Sequence, residues 1–283
     1  INIMLTVKDR FMKLNKDDIL SKGIQVVDHL CLLISFINRY QINWFRYGVT
    51  GYDESKLAYR SVNEIKDVRY NNYNYLFEII NNKEILEKGL KYFGEKNSYD
   101  LNIPLYYYTN SFKTNNIEEQ FTILFLCLEK ILYYFKKEKE LNSIITKKLF
   151  EDKLLPIIEE NITSFINSNF GNIKSKKRKS MFNRMKIKIK EINRPSIENI
   201  LIKYMKENKI MWKDLYKDNL DNLPVIKTRD NLFHSSEFID LSKIFKEKMR
   251  LQIIVERIIL TLLGIPDVNE MIPPKDIKEL LTK

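Results

Sequence analysis

Residues 229–234, Arg-Asp-Asn-Leu-Phe-His, combine side chains that could cleave RNA without a metal ion. Arg229 offers a guanidinium that can bind a phosphate through two parallel hydrogen bonds. His234, one of two histidines in the chain, offers an imidazole that exchanges a proton near neutral pH. Asp230 adds a carboxylate that can orient such an imidazole. Together these residue types suit general acid–base catalysis at a phosphodiester.

The spacing of these residues suits a helix. On a helix, Arg229 and His234 lie about 140° apart around the axis and about 7.5 Å apart along it, so both can reach one edge of a cleft. Asp230 lies one turn before His234 on the same face, where it can fix the tautomer of the imidazole. Asn231 adds a supporting polar group. The alternative is that His234 forms only a local cap or pair, because an Arg and a His at this spacing are common by chance.

The helix that carries these residues is predicted over residues 228–263, with Thr228 as its N-cap and Gly264 beyond its end. Seven glycines, seven prolines and 44% hydrophobic residues favour a folded, mainly α protein. We predict a helical bundle over residues 113–283, preceded by a smaller α+β region over residues 1–112. Further helices are predicted at residues 18–40, 73–93, 104–112, 117–139, 143–168, 180–192, 196–208 and 210–221, and strands at residues 3–7 and 42–49.

Composition and the pattern of apolar runs predict a cytoplasmic protein. Cys31 and Cys127 lie in apolar runs and are expected to be buried, reduced thiols. The apolar stretches are too short to cross a bilayer or are interrupted by charged residues, and no signal peptide is visible, so no membrane partner is expected. No zinc-ligand spacing or Gly-rich phosphate loop is present, so neither a metal nor a cofactor is expected. The first residue is Ile1 rather than Met, which leaves open a longer protein with a preceding segment.

Positive charge is concentrated in one segment of the chain. Residues 171–213 contain 14 Lys/Arg and three Asp/Glu, an excess equal to the net charge of +11 of the whole protein. Such a segment is typical of a polyanion site, and we predict that it binds RNA. The alternatives are a solvated loop without a binding role and a membrane-surface helix, which would need a larger apolar face with aromatic anchors. The predicted RNA-binding residues are Lys174, Lys176, Lys177, Arg178, Lys179, Arg184, Lys186 and Lys188.

The motif and its flanking helices resemble HEPN ribonuclease domains, in particular the ApeA-like HEPN group. Residues 229–234 fit the Arg-polar-x3-His pattern of these domains, with Asp230 at the polar position. Residues 121–131, FTILFLCLEKI, look like the opening helix of the group, and residues 255–265, VERIILTLLGI, look like its closing helix. The resemblance covers about residues 117–265. More weakly, residues 33–39 and the aromatic strand around Trp44 resemble the segment before the domain in ApeA-type anti-phage defence proteins.

This resemblance implies a metal-independent endoribonuclease that acts as a toxin-like effector in anti-phage defence. Its active site would form at the interface of a homodimer, from Arg229 and His234 of both protomers. One His234 would take the proton of the ribose 2′-hydroxyl and the other would protonate the leaving 5′ oxygen, while Arg229 binds the scissile phosphate. The products would carry 2′,3′-cyclic phosphate and 5′-hydroxyl ends, and DNA would not be cleaved.

Several further residues have two interpretations. Glu129 could be a supporting partner of Arg229, but a simple surface carboxylate is the favoured interpretation. His29 is interpreted as structural. Trp44 and the tyrosines at residues 106–108 could stack on bases, but packing is the favoured interpretation. For the whole protein, the alternatives to a nuclease are a non-catalytic RNA-binding or regulatory helical module, and a scaffold whose basic segment binds an acidic protein.

Overall fold

The computed structural model describes residues 16–39, 46–50, 55–59, 82–95, 100–216, 223–234 and 240–269. This part of the chain is mainly helical, as predicted. The elements in chain order are α1 (Lys16–Asn38), β1 (Arg46–Thr50), β2 (Ser55–Tyr59), α2 (Asn82–Gly94), α3 (Asn102–Asn110), α4 (Ile117–Glu138), α5 (Lys147–Leu149), a π-helical turn (Phe150–Leu154), α6 (Leu155–Asn169), α7 (Ser175–Ile192), α8 (Ile197–Glu207), a 3-10 turn (Lys213–Leu215), α9 (Pro224–His234) and α10 (Leu241–Leu262).

The chain divides into two compact units, one within Ile1–Ile131 and Met205–Lys283 and the other comprising Leu132–Tyr204. In the first unit α1 packs against α2 and α3. The rings of Phe36 and Tyr108 join α1 to α3 with a centroid distance of 5.1 Å. Helices α1 and α2 meet closely at Gly89, where a Cβ atom would lie 2.5 Å from Cδ2 of Leu33. A larger residue at position 89 would therefore displace a buried leucine.

The region predicted as α+β contains one hairpin in the described residues. Strands β1 and β2 are antiparallel, with Arg46 opposite Tyr59 and Thr50 opposite Ser55, and β1 overlaps the strand predicted over residues 42–49. The helices predicted over residues 18–40 and 104–112 are confirmed as α1 and α3. The strand predicted at residues 3–7 and the first part of the helix predicted over residues 73–93 lie outside the described residues. The domain boundary near residue 112 stays a prediction.

The single helix predicted over residues 228–263 is wrong, because α9 and α10 are separate helices there. Pro224 begins α9, where its fixed φ suits the first helical turn. Asp240 begins α10, and its carboxylate accepts a hydrogen bond from the Ser242 backbone N–H at 2.9 Å. Thr228, predicted as the N-cap, lies inside α9 with its side chain buried. The two local start signals therefore prevail over a continuous apolar pattern.

The end of α10 follows the prediction. Gly264 adopts a positive φ of 71°, its N–H bonds to the carbonyl of Thr261, and the N–H of Ile265 bonds to the carbonyl of Leu260. This pair of hydrogen bonds is a Schellman cap, which satisfies carbonyls that the helix end leaves open. Ile265 is buried, so the chain turns back onto the core.

The helix predicted over residues 210–221 is also wrong in its described part, because residues 210–216 contain only the 3-10 turn. Arg257 of α10 explains this conformation. Its guanidinium binds the Asp214 carboxylate at 2.9 and 2.6 Å and also donates to the carbonyl of Met211. The Met211 N–H bonds to the side chain of Asn269 at 2.7 Å. Backbone groups that a helix would use are thus satisfied by side chains.

A second buried polar cluster lies against α10. The Glu256 carboxylate is fully buried and accepts hydrogen bonds from Nε and Nη2 of Arg39, both at 2.8 Å. It also accepts from the hydroxyl of Tyr108 and from Gln252 Nε2, the latter at 2.9 Å. Because Arg39 follows α1 and Tyr108 belongs to α3, this carboxylate connects three helical segments of the first unit.

In the second unit α7 packs against α6. Thr146 caps the start of α5 by accepting from the Leu149 N–H, and Lys186 of α7 binds Glu159 of α6 at 2.9 Å. The side chain of Asn193 bonds to both backbone groups of Ile145. Helix α7 begins at Ser175, earlier than the predicted residue 180, so most of the basic segment is helical.

Two general expectations concern burial and hydropathy. Cys31 and Cys127 are both buried, as their apolar surroundings predict. Among the described helices, none combines the length and the apolarity that a membrane span requires.

Candidate functional site

Arg229 reaches the surface from a helix, α9, whose first turns are buried. Val225, Ile226 and Thr228, in the first turns of α9, are all less than 9% exposed, which fixes this part of the helix on the core of the first unit. The Arg229 side chain is 29% exposed. Burial of the helix below a half-exposed guanidinium gives that group a defined position, which a binding site requires.

Two carboxylates hold the Arg229 guanidinium. Nη2 donates to Oε1 of Glu129 on α4 at 3.2 Å, and Nη1 donates to Oδ1 of its neighbour Asp230 at 3.0 Å. Glu129 is thus a partner of Arg229, the less favoured of its two interpretations, and the contact joins two helices that are 100 residues apart in sequence. Two negative charges face one positive charge here, so an incoming phosphate must compete with both carboxylates.

Two aromatic rings also contact the guanidinium. Its central carbon lies 5.6 Å from the ring centroid of Phe125 and 5.3 Å from that of Phe233, both within the range of a cation–π contact. Phe125 is 2% exposed, whereas Phe233 is 52% exposed. Phe125 therefore supports the arginine from the core, while Phe233 extends the site toward solvent.

The hydrogen-bonding capacity of Arg229 is incompletely used. A guanidinium has five N–H groups, and in the described residues Nε of Arg229 is buried without a hydrogen-bond partner. Because Nε is shielded from solvent, an anion could reach it only after the side chain moves. Each terminal nitrogen has a second N–H beyond its bond to a carboxylate, so Nη1 and Nη2 are the groups that could bind an anion.

The other residues of the motif occupy the same helix. Asp230 is exposed and Asn231 is partly exposed, and Asp230 bonds to Arg229. His234 is the last residue of α9, and its side chain lies outside the described part of the protein. The predicted hydrogen bond between Asp230 and His234 thus stays a prediction, although the helix that would bring the two residues onto one face is present.

The predicted RNA-binding residues belong to the second compact unit. Helix α7 carries its positive side chains mostly at the surface, with Arg178 and Lys186 partly buried. Lys186 is paired with Glu159, and Lys188 with Glu191 at 3.2 Å. The predicted RNA-binding residues on this helix or at its start are Lys174, Lys176, Lys177, Arg178, Lys179, Arg184, Lys186 and Lys188.

Other predicted candidates separate into core and surface residues. His29 is buried, stacks on Phe93 at a centroid distance of 4.1 Å, and has its pKa lowered by burial, which fits a structural role. Of the tyrosines at residues 106–108, Tyr108 is fully buried while Tyr106 is 52% exposed. Trp44 lies outside the described residues. Within the described ranges, no group of three or more His, Cys, Asp or Glu residues could hold a metal ion.

Phe125 and Phe233 are the site residues that the sequence analysis missed. In the sequence, Phe125 appeared only as part of the helix predicted over residues 117–139. It precedes Glu129 by one helical turn, and Phe233 follows Arg229 by one turn, so each ring shares a face with the charged residue next to it. The spacing was thus a usable signal, but the contact between α4 and α9 was needed to give it meaning.

Comparison of the chain with protein-family models, with curated proteins and with solved structures gave no match. Any functional assignment therefore rests on the residues of this chain and on their geometry.

Proposed function

We propose that the protein is a metal-independent endoribonuclease in which Arg229 binds the scissile phosphate and His234 transfers protons. One observation carries this proposal: a partly exposed guanidinium, held by Glu129 and by two rings, lies on the helix that ends at His234. The HEPN resemblance of residues 117–265 supports the same assignment and extends it to a toxin-like, anti-phage effector.

The proposed reaction is an internal transesterification. A base removes the proton of the 2′-hydroxyl, the 2′ oxygen bonds to phosphorus, and the bond from phosphorus to the 5′ oxygen breaks as that oxygen takes a proton. The products are a 2′,3′-cyclic phosphate and a 5′-hydroxyl. Arg229 would stabilise the negative charge that grows on the phosphorane, a contribution typically worth about 10²–10³ in rate for a single donor.

Two protons must move at opposite ends of the reaction, and a single His234 does not readily provide for both. We therefore include a homodimer in the proposal, with one His234 as base and the other as acid. The composite site would also bring two Arg229 guanidinium groups to one phosphate. The excess of carboxylates around each Arg229 would then be offset by the second cation and by the substrate contacts that replace Asp230.

The test is cleavage of 5′-labelled RNA by the purified protein in EDTA. We expect cleavage that persists in the chelator, leaves 2′,3′-cyclic phosphate ends, and spares a 2′-O-methyl copy of the same RNA. His234→Ala should lower the rate by about 10²–10⁴, the usual contribution of acid–base catalysis. His29→Phe is the matched control because it removes the other imidazole and keeps a ring against Phe93. Unchanged cleavage in His234→Ala would refute the assignment.

The dimer has a separate test. Wild-type and His234→Ala protomers are mixed in varying proportion under conditions that exchange subunits. A heterodimer retains only one His234, so the rate should fall with the square of the wild-type fraction if the site is composite, and in proportion to that fraction if each protomer acts alone. A protein that sedimented as a monomer at assay concentration with full activity would contradict the composite site and leave the Arg229 assignment intact.

A second candidate function is a non-catalytic RNA-binding or regulatory module, and the charge of α7 favours it. Its exposed lysines and arginines suit phosphate contacts whatever Arg229 does. RNA binding that weakens steeply with salt, together with no cleavage under any condition, would select this function. Binding to an acidic protein with no affinity for RNA would select the scaffold instead.

A further inference from the structure

Phe233 is an exposed aromatic residue in a position that packing does not explain. Its side chain is 52% exposed, and exposed apolar residues that are scattered singly need no functional reason. Phe165 and Tyr133, which are also more than half exposed, show that exposure alone means little. Phe233 differs from them because the Arg229 guanidinium lies over its ring at 5.3 Å from the centroid.

The immobilisation of Arg229 does not need this ring. Glu129 and the buried ring of Phe125 already hold the guanidinium from α4. With a guanidinium over one face of Phe233 and about half of the side chain open to solvent, a flat aromatic surface remains beside the cation that would bind a phosphate. In a nucleotide, the base lies one sugar away from its phosphate, so a phosphate bound at Arg229 brings a base within reach of Phe233.

We propose that Phe233 is a stacking platform for the base next to the cleaved bond, an inference that rests on the nuclease proposed above. Aromatic side chains bind unpaired bases in this way, because every base offers a flat π face. A paired base inside a duplex cannot reach such a platform without leaving its stack. Phe233 therefore selects RNA that is unpaired at the cleavage site, with a modest preference for the larger face of a purine.

The decisive experiment removes the base instead of only the ring. An RNA with one cleavable ribose carries either a normal base or an abasic ribose at that position, all other riboses being 2′-O-methylated. Phe233→Ala should lower kcat/KM on the normal RNA by about tenfold or more, as expected for loss of one stacking contact. For the wild-type protein, kcat/KM should be lower by a similar factor on the abasic RNA than on the normal RNA. On the abasic RNA, Phe233→Ala should have nearly the same kcat/KM as the wild-type protein. Phe233→Trp should keep the wild-type rate.

Two controls separate the outcomes. Phe165→Ala removes a ring with the same exposure from α6, and its effect should be small and independent of the base. If wild-type protein cleaves neither RNA, the nuclease proposal itself fails. If cleavage occurs but the loss in kcat/KM from Phe233→Ala multiplies with the loss from the abasic site, ring and base act independently and the platform is refuted. A change of oligomeric state in Phe233→Ala would also refute the platform. The nuclease proposal stands in both cases.

Discussion

Two arginines of the first unit bind a glutamate in contrasting ways. Arg39 donates twice to Glu256, at 2.8 Å each, and the two side chains are 6% and 0% exposed. Arg229 donates once to Glu129 at 3.2 Å, and these two side chains are 29% and 32% exposed. In the buried pair, both carboxylate oxygens of Glu256 accept from Arg39, and the carboxylate also accepts from Tyr108 and Gln252. The surface pair is a looser contact.

This difference is the one expected between a structural arginine and the phosphate-binding arginine proposed above. Burying an ion pair is costly unless its hydrogen bonds are nearly complete, so the Arg39 pair leaves little freedom for another ligand. A half-exposed pair contributes less than about 1 kcal/mol to folding, so a ligand can rearrange it at small cost. An unpaired Nε does not distinguish Arg229, because the buried Arg257 also has one. Exposure and loose pairing do distinguish Arg229 from Arg39 and Arg257.

The largest predicted effect concerns folding and the buried pair. Glu256→Ala leaves Arg39 buried without its counter-ion and should lower the free energy of unfolding by about 3–5 kcal/mol. Glu129→Ala removes the corresponding carboxylate at the surface and should cost less than about 1 kcal/mol. Urea denaturation of both variants, followed by circular dichroism, measures the two losses. Equal losses would mean that burial does not distinguish the two pairs.

The next effect concerns catalysis and the surface arginine. Arg229→Lys keeps the positive charge but removes the planar fork that fits a phosphate, so kcat should fall by about 10²-fold. The free energy of unfolding should change by no more than about 0.5 kcal/mol. The mirror variant, Arg257→Lys, breaks the two-point contact with Asp214 and should lower stability while the folded fraction keeps its kcat. If Arg229→Lys lowered stability and Arg257→Lys lowered kcat instead, Arg229 would have the structural role and Arg257 the catalytic one.

The sequence predicted the helical content and one side of the site, but not the break before α10. The apolar face of α4 and the end of α10 at Gly264 follow from local patterns that tertiary contacts do not override. The roles of the polar residues in α10 were harder to predict. Gln252 and Glu256 interrupt an apolar face, and the partners of Glu256, Arg39 and Tyr108, are distant in sequence. For the same reason the contact between Glu129 and Arg229 could only be offered as one of two alternatives.

A third prediction tests the cost of burying charge near the Arg39 pair. The Lys248 ammonium lies over the ring of Phe112. Burial, and to a lesser extent the charge of Arg39, lower its pKa to about 8 against the opposing effect of Glu256. Lys248→Met removes this buried cation and should raise the free energy of unfolding at pH 7 by on the order of 2 kcal/mol. Urea denaturation at pH 7 measures the gain, and the exposed Lys206→Met is the control.

The pH dependence gives the same prediction a second readout. Between pH 8 and about 10, the unfolded chain holds a proton on Lys248 that the folded protein has lost, so the contribution of Lys248 to stability rises with pH in this window. The buried Cys127 thiol, whose pKa is raised by burial, acts in the opposite direction in both proteins. The gain in stability from Lys248→Met should therefore shrink from pH 8 to pH 10, and a constant gain would contradict the lowered pKa of Lys248. Above about pH 10 the raised pKa of the buried Tyr108 acts in the opposite direction, which limits the window.

The smallest effect tests whether the loose surface pair keeps Arg229 available for phosphate. Glu129→Gln retains an acceptor for Nη2 but removes one of the two negative charges at the guanidinium. The Kd for a 2′-O-methyl RNA should therefore fall about threefold at low salt, and the gain should shrink as salt screens the charges. Glu118→Gln, the same change at an exposed position near the start of α4, should leave the Kd nearly unchanged. Equal gains in both variants would show that net charge, and not the contact with Arg229, controls the affinity.

Glu129→Ala completes the series because it removes both the negative charge and the hydrogen-bond acceptor that holds Arg229. RNA should still bind more tightly than to the wild type, but kcat should be about tenfold lower because the guanidinium loses its fixed position.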